Sequence, residues 1–143
     1  MRFVLPAALL AQLRQRREEQ RATHARAGSL DLLQDGVERE HDAFLLDPGM
    51  GPMAYLTADG RVLLDDRSCD GTPLREATDD EAIATIVVGS RKTGITALID
   101  VVPRVPPGGA TCPRCAGGRW DRQLTTLPCR QCFGRGWRPD PTA

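Results

Sequence analysis

A chain of 143 residues, 41% apolar and only 4% aromatic, has room for one domain with an appendage or for two very small ones. Its core must rest on Leu, Val, Ile and Ala, which argues against a deep, enzyme-sized cleft, and no stretch approaches the roughly 18 apolar residues of a membrane helix. The formal net charge of zero hides zones: residues 1–28 carry six Arg against two Glu, residues 29–103 six basic groups against fifteen acids, and residues 104–143 seven Arg against two Asp. Such zoning predicts that the basic ends fold back on the acidic middle, the alternative being a basic end that meets an anionic partner.

The opening run from Met1 to Ala11 is interrupted by Pro6 and followed by Gln12 and Arg14, so it reads as the start of a helix rather than a signal peptide. Pro6 suits a first helical turn, residues 6–27 are rich in helix formers, and Gly28 can end the element. Leu5, Leu9 and Leu13 make one apolar stripe, with Leu10 beside it. From Arg14 to Arg21 there is no apolar face, so the second half of this basic helix (1–28) is expected to be a solvated arm.

Residues 29–103 read as an acidic α+β domain. Ser29 to Leu33 suggests a short helix closed by Asp35-Gly36. Ala43 to Leu46 suggests a buried strand stopped by Asp47-Pro48-Gly49. Residues 53–57 and 61–64 form a hairpin around Ala58-Asp59-Gly60, with Gly60 supplying a positive φ. Thr78-Asp79-Asp80-Glu81 is a capping-box signature that starts a helix carrying Ile83, Ile86 and Val87, ended by Gly89 or Gly94. Residues 95–102 are apolar, strand or helix undecided. Residues 104–110, with Pro106-Pro107-Gly108-Gly109, are expected to be a linker before a zinc-binding module (111–138) and a short tail (139–143).

Within that module two nine-residue stretches repeat at an offset of seventeen: Cys112 to Trp120 and Cys129 to Trp137. Both cysteines of each pair, one glycine (Gly117 and Gly134) and the tryptophan coincide. Two residues between cysteines let a tight turn aim both sulfurs at one point. Two such turns supply the soft ligands of a tetrahedral zinc, so Cys112, Cys115, Cys129 and Cys132 are expected to hold one structural Zn²⁺. Arg114, Arg119, Arg130 and Arg135 can offset the thiolate charge, and Asp121 is the only nearby carboxylate. Cys69 stands alone in an acidic stretch with no activating partner. The cysteine usage fits a cytoplasmic metal-binding protein better than a secreted disulfide scaffold.

Cys129 to Gly136 matches C-x-x-C-x-G-x-G and resembles the repeat of the cysteine-rich zinc module of type I J-domain co-chaperones. The match at Cys112 is partial, with Arg119 where the second glycine belongs. No His-Pro-Asp tripeptide occurs, so the resemblance implies one zinc-bearing surface that contacts polypeptides, without a co-chaperone role. Residues 37–103 resemble the SUKH superfamily of bacterial immunity and regulatory proteins, through Tyr55 to Val62 and the acidic helix that follows.

Other constellations are weaker. His24 and His41 read as surface residues, and Gly49-Met50-Gly51 and Gly108-Gly109 lack the strand–Gly–helix grammar of a phosphate loop. A redox role for Cys112-Pro113-Arg114-Cys115 would require a strand before the pair and a helix N-terminus after it. Nucleic-acid binding would use the arginines for phosphates and Trp120 or Trp137 for stacking, whereas both tryptophans are expected to cap the knuckles. The expectation is an α+β protein with no catalytic residues, acting as an adaptor for another protein, with immunity or regulation as its setting. Asp65, Asp66, Asp79 and Asp80 would face a basic partner. The alternatives are a nucleic-acid-binding zinc ribbon and a thiol-redox or chaperone-like protein.

Overall fold

The computed structural model describes residues 1–48, 52–67 and 72–139; Cys69, Gly49-Met50-Gly51 and residues 140–143 lie outside the described residues. The fold is α+β with a C-terminal cysteine cluster. Two compact units divide the chain, Met1–Ala77 and Thr78–Ala143. The Pro/Gly segment 104–110 therefore lies inside the second unit, and the helix that follows Thr78 belongs with the cysteines rather than with the acidic sheet.

The first unit holds helices α1 (Ala7–Ala27) and α2 (Leu32–His41) and an antiparallel meander of β1 (Ala43–Asp47), β2 (Met53–Thr57), β3 (Val62–Asp66) and β4 (Thr72–Glu76). Register pairs Phe44 with Leu56 and Leu56 with Val62, and Leu45 with Tyr55 and Tyr55 with Leu63. Consecutive apolar residues thus fill both faces of the sheet, the pattern of strands covered on two sides. On one face Val37 of α2 packs with Ala43, Tyr55 and Leu63. The fourth strand has no counterpart among the expected elements, because Thr72-Pro73-Leu74-Arg75-Glu76 carries little apolar signal, and Pro73 suits an edge strand.

Helix α1 ends on Gly28 at φ +68° and buries Leu9 and Leu13, while Leu5 and Leu10 stay partly exposed. Its second half corrects the solvated-arm expectation. The Arg16 guanidinium donates to the Leu45 carbonyl at 3.1 Å, and Arg17 donates to the Ala43 carbonyl at 3.1 Å and to Asp42 at 2.8 Å. Arg17 also lies 4.5 Å from the centre of the Phe44 ring. Arg21 pairs with Asp35 at 3.4 Å and with Glu38 at 3.7 Å. A face with no apolar side chain docks through guanidinium groups and their stems instead. This is the fold-back of basic on acidic that the charge zones predict.

The helix expected over Ser29 to Leu33 begins later and runs longer. The Asp31 side chain accepts from the Leu33 and Gln34 N–H groups at 3.0 and 3.1 Å, which fixes the start. Asp35-Gly36 then sits in the helix interior instead of closing it. Burial of Val37 in the next turn, against Ala43, Tyr55 and Leu63, outweighs the low helix propensity of a single glycine, worth about 1 kcal/mol.

In the second unit α3 (Asp79–Thr93) starts with the expected capping box: the Thr78 hydroxyl accepts from the Glu81 N–H at 3.3 Å and the Glu81 carboxylate accepts from the Thr78 N–H at 3.0 Å. It buries Ile83, Ile86 and Val87 and ends at Gly94, φ +73°. Thr96–Val101 form a 3-10 helix, with Leu98 buried. Short strands β5 (Gly109–Thr111) and β6 (Trp137–Pro139) pair antiparallel and close the cysteine segment.

The tightest backbone approach is at the hairpin. Gly60 has φ +90°, its carbonyl accepts from the Phe3 N–H at 2.8 Å, and a Cβ there would lie 1.9 Å from the Phe3 carbonyl oxygen. Gly60→Ala is expected to destabilise the first unit by at least about 2 kcal/mol in urea denaturation, because strain and a backbone clash combine. Gly28→Ala, with open space around its Cβ, should cost only about 1 kcal/mol. Equal effects would show that the Phe3–Gly60 contact is not a constraint.

Candidate metal centre

The sequence repeat is also a repeat of backbone path. Ala116 and Gly117 have φ of +52° and +82°, and their counterparts Phe133 and Gly134 have +58° and +92°. The Gly118 N–H donates to the Cys115 carbonyl at 2.9 Å, and Arg135 seventeen residues on does the same to Cys132 at 3.1 Å. Each knuckle is thus a tight turn that reverses the chain just after its second cysteine. The two turns meet through glycine: Cys112 donates to the Gly136 carbonyl at 3.0 Å, and a Cβ on Gly136 would lie 3.0 Å from the Gly117 oxygen. Gly134 presses on α3, where an added Cβ would sit 2.9 Å from a Val87 methyl group.

This arrangement brings all four expected ligands together. The Sγ atoms of Cys112 and Cys129 are 3.8 Å apart, those of Cys115 and Cys132 3.7 Å, and all four lie within 4.8 Å of one another. Metal–sulfur bonds of about 2.3 Å in a tetrahedron require sulfur–sulfur edges of about 3.8 Å. The four cysteines are at most 5% exposed, and the group can hold one metal ion. The Cys112 pair is followed by turns rather than by the helix N-terminus that activates a redox pair. Burial pushes the Cys132 thiol up to about 12, against the lowering effect of the Gly136 N–H, which lies 3.2 Å from its sulfur. A cation must therefore displace protons to bind, and its affinity rises with pH.

Asp121 is the residue whose role the sequence only hinted at, as the one acid among the arginines. It is buried and clasps both knuckles: its carboxylate accepts from Arg114 at 3.0 Å and Arg130 at 3.2 Å, and from the N–H groups of Gln123 and Leu124 at 2.9 and 3.1 Å. The Arg114 guanidinium, with those N–H groups and Arg130, holds its carboxyl well below the usual carboxylate range. Since a depressed carboxyl stabilises the fold above its unfolded pKa of about 3.9, the clasp is intact wherever thiolates can hold a metal.

The other arginines divide by task. Arg119 donates to the Gly134 and Arg135 carbonyls, both at 3.0 Å, and Arg135 pairs with Asp80 at 2.7 Å. The tryptophans are half-buried and structural. The Arg91 guanidinium stacks 3.3 Å from the Trp120 ring centre, and the Trp137 indole donates to the Pro103 carbonyl at 3.3 Å. Of the four acids expected to face a basic partner, Asp65 is 1% exposed and held by Arg67 at 2.8 Å, and Asp80, half-exposed, pairs with Arg135 at 2.7 Å. His24 and His41 are only partly exposed, and neither is near the cysteines in sequence.

Asp121→Ala would strand two guanidinium groups and two N–H donors. It is expected to weaken metal binding by about 10–100-fold while the four sulfurs still take up one ion. Asp121→Asn, which retains an acceptor, should fall between. Competition with a chromogenic chelator measures this, and wild-type affinity in the alanine variant would remove Asp121 from the site's support. No protein-family model, curated protein or solved structure matches this chain, so its functional reading rests on the site itself.

Proposed function

We propose that this chain is a non-catalytic adaptor that binds another protein, and that its second unit is ordered by one structural zinc ion held by Cys112, Cys115, Cys129 and Cys132. The observation that carries the reading is the closed sulfur tetrahedron. Four buried thiolates satisfy a d¹⁰ ion that has no geometric preference of its own, and they leave no position for water or substrate. Catalytic zinc keeps such a position open. Among the described residues no other trio of His, Cys, Asp or Glu converges as this set does.

Exposed Leu124, Leu127 and Phe133, at 48, 45 and 41%, lie on loops tied to the knuckles and support contact with a macromolecule. Regulation or immunity is the setting suggested by the SUKH-like segment, and a polypeptide-contacting surface is what the co-chaperone-like repeat suggests.

Metal analysis of protein purified under reducing conditions tests the zinc reading. About one equivalent of zinc per chain is expected, and Cys129→Ser should lose it. Chelation should unfold the second unit, since structural zinc supplies on the order of 10 kcal/mol to such small folds. Less than about half an equivalent, together with a readily titrated disulfide, would favour thiol–disulfide chemistry instead.

A further inference from the structure

Beside the second knuckle an open cleft of about 530 Å³ is lined by Arg114, Arg130, Gln131, Phe133 and Arg138. Gln131, Phe133 and Arg138 also line an adjoining cleft of about 320 Å³, where the one carboxylate, Asp80, is paired with Arg135 at 2.7 Å, so the two form a track with Phe133 in its middle. We propose that this track binds a single strand of nucleic acid, with a base stacked on Phe133 and phosphates held by Arg114, Arg130 and Arg138.

The ring is the first argument. Phe133 sits at φ +58°, a conformation that strains any L-residue with a side chain, and is 41% exposed. Its counterpart Ala116 makes the same turn at φ +52° without a ring. Neither the knuckle nor burial therefore explains an aromatic residue there, and strained, exposed positions of this kind gather where ligands bind.

Charge is the second argument. Residues 104–139 carry seven Arg and one acid, Asp121, so the segment stays cationic even beside a tetrathiolate centre of charge about −2. Arg114 and Arg130 are fixed side by side through their Nε and Nη2 atoms by Asp121 and Gln123. Each guanidinium has five donors, so each keeps some for a phosphate. Arg138 is positioned by the Gln131 carbonyl at 2.9 Å. A flat ring flanked by cations suits an unstacked base and its phosphates. An acidic peptide would use the cations and leave the ring unexplained.

The inference rests on the metal-ordered fold proposed above. Fluorescence anisotropy with the full zinc-loaded chain and a labelled oligothymidylate of about 12 nucleotides tests it. Three phosphate contacts predict a log–log salt slope of about −2. Phe133→Gly, which suits the positive φ, should weaken binding about 5–150-fold, as loss of one stacked base does. Arg138→Gln should weaken it and flatten the slope by about 0.7. Both variants should keep wild-type zinc content, and neither should melt below the wild type. Zinc-loaded protein with no affinity at about 50 mM salt, or variants that bind as wild type, overturns the proposal. So does equal binding to a duplex, or displacement by polyglutamate as readily as by unlabelled oligonucleotide, the latter pointing to an acidic polypeptide. Protein without zinc would defeat the underlying metal reading, whereas zinc-loaded protein that ignores the oligonucleotide defeats this inference alone.

Discussion

Four sulfur atoms converging within 4.8 Å of one another set the terms for the C-terminal part of this protein. Between Arg104 and Pro139 there are too few large apolar side chains to build a core, and the cysteine cluster occupies that place. Its demands propagate outward. Each sulfur pair needs a turn that doubles back, and each turn passes through two residues of positive φ. The turns approach so closely that Gly136 faces Gly117 across a gap that admits no side chain. Helix α3 then packs against the second turn at Gly134, which is why this helix belongs with the cysteines and not with the sheet that precedes it.

Arginine supplies much of what aromatic side chains supply elsewhere. In the first unit Arg16 and Arg17 reach the carbonyls of edge strand β1, which occupies hydrogen-bonding groups that would otherwise invite pairing with another chain. The ion pairs around them range from Arg14–Asp42, open to solvent on both sides, to the largely buried pairs of Arg21, and exposed pairs contribute little net stability. Glu38 shows the opposing effect: burial raises its carboxyl above the usual range although Gln34 and Arg21 pull it down. Such a group favours folding more as the pH falls toward its own pKa and less at neutrality. Its pair with Arg21 ties α1 to α2 at 3.7 Å, and a buried ion pair of this kind is weak evidence of net stabilisation.

In the second unit the same residue type is divided between support and display. Arg119 turns inward to the Gly134 and Arg135 carbonyls and Arg135 neutralises Asp80 at one end of the track, whereas Arg114, Arg130 and Arg138 line its open part. The clasp at Asp121 does both at once. It joins the knuckles and orders two guanidinium groups at the surface, so a small module can offer a fixed cationic face without a large core beneath it.

The local elements were legible in the sequence where chemistry is local. Cysteine spacing announced the four ligands, because a two-residue gap sets the reach of a turn. Thr78 and Glu81 announced the start of α3, and Gly28 and Gly60 the reversals, since capping and positive φ are decided within a few residues, whereas the choice of Gly94 over Gly89 as the end of α3 waited on burial of Gly89 inside the helix. What only the tertiary structure decided depends on groups far apart in the chain. That Arg16 to Arg21 form a docking face, that β4 completes the sheet, that the Pro/Gly segment leads into a paired strand, and that Phe133 stands exposed between arginines all follow from long-range contacts. Hydrogen bonds from guanidinium to backbone carbonyl leave no apolar periodicity to read, and no spacing rule says which side of a metal turn faces water.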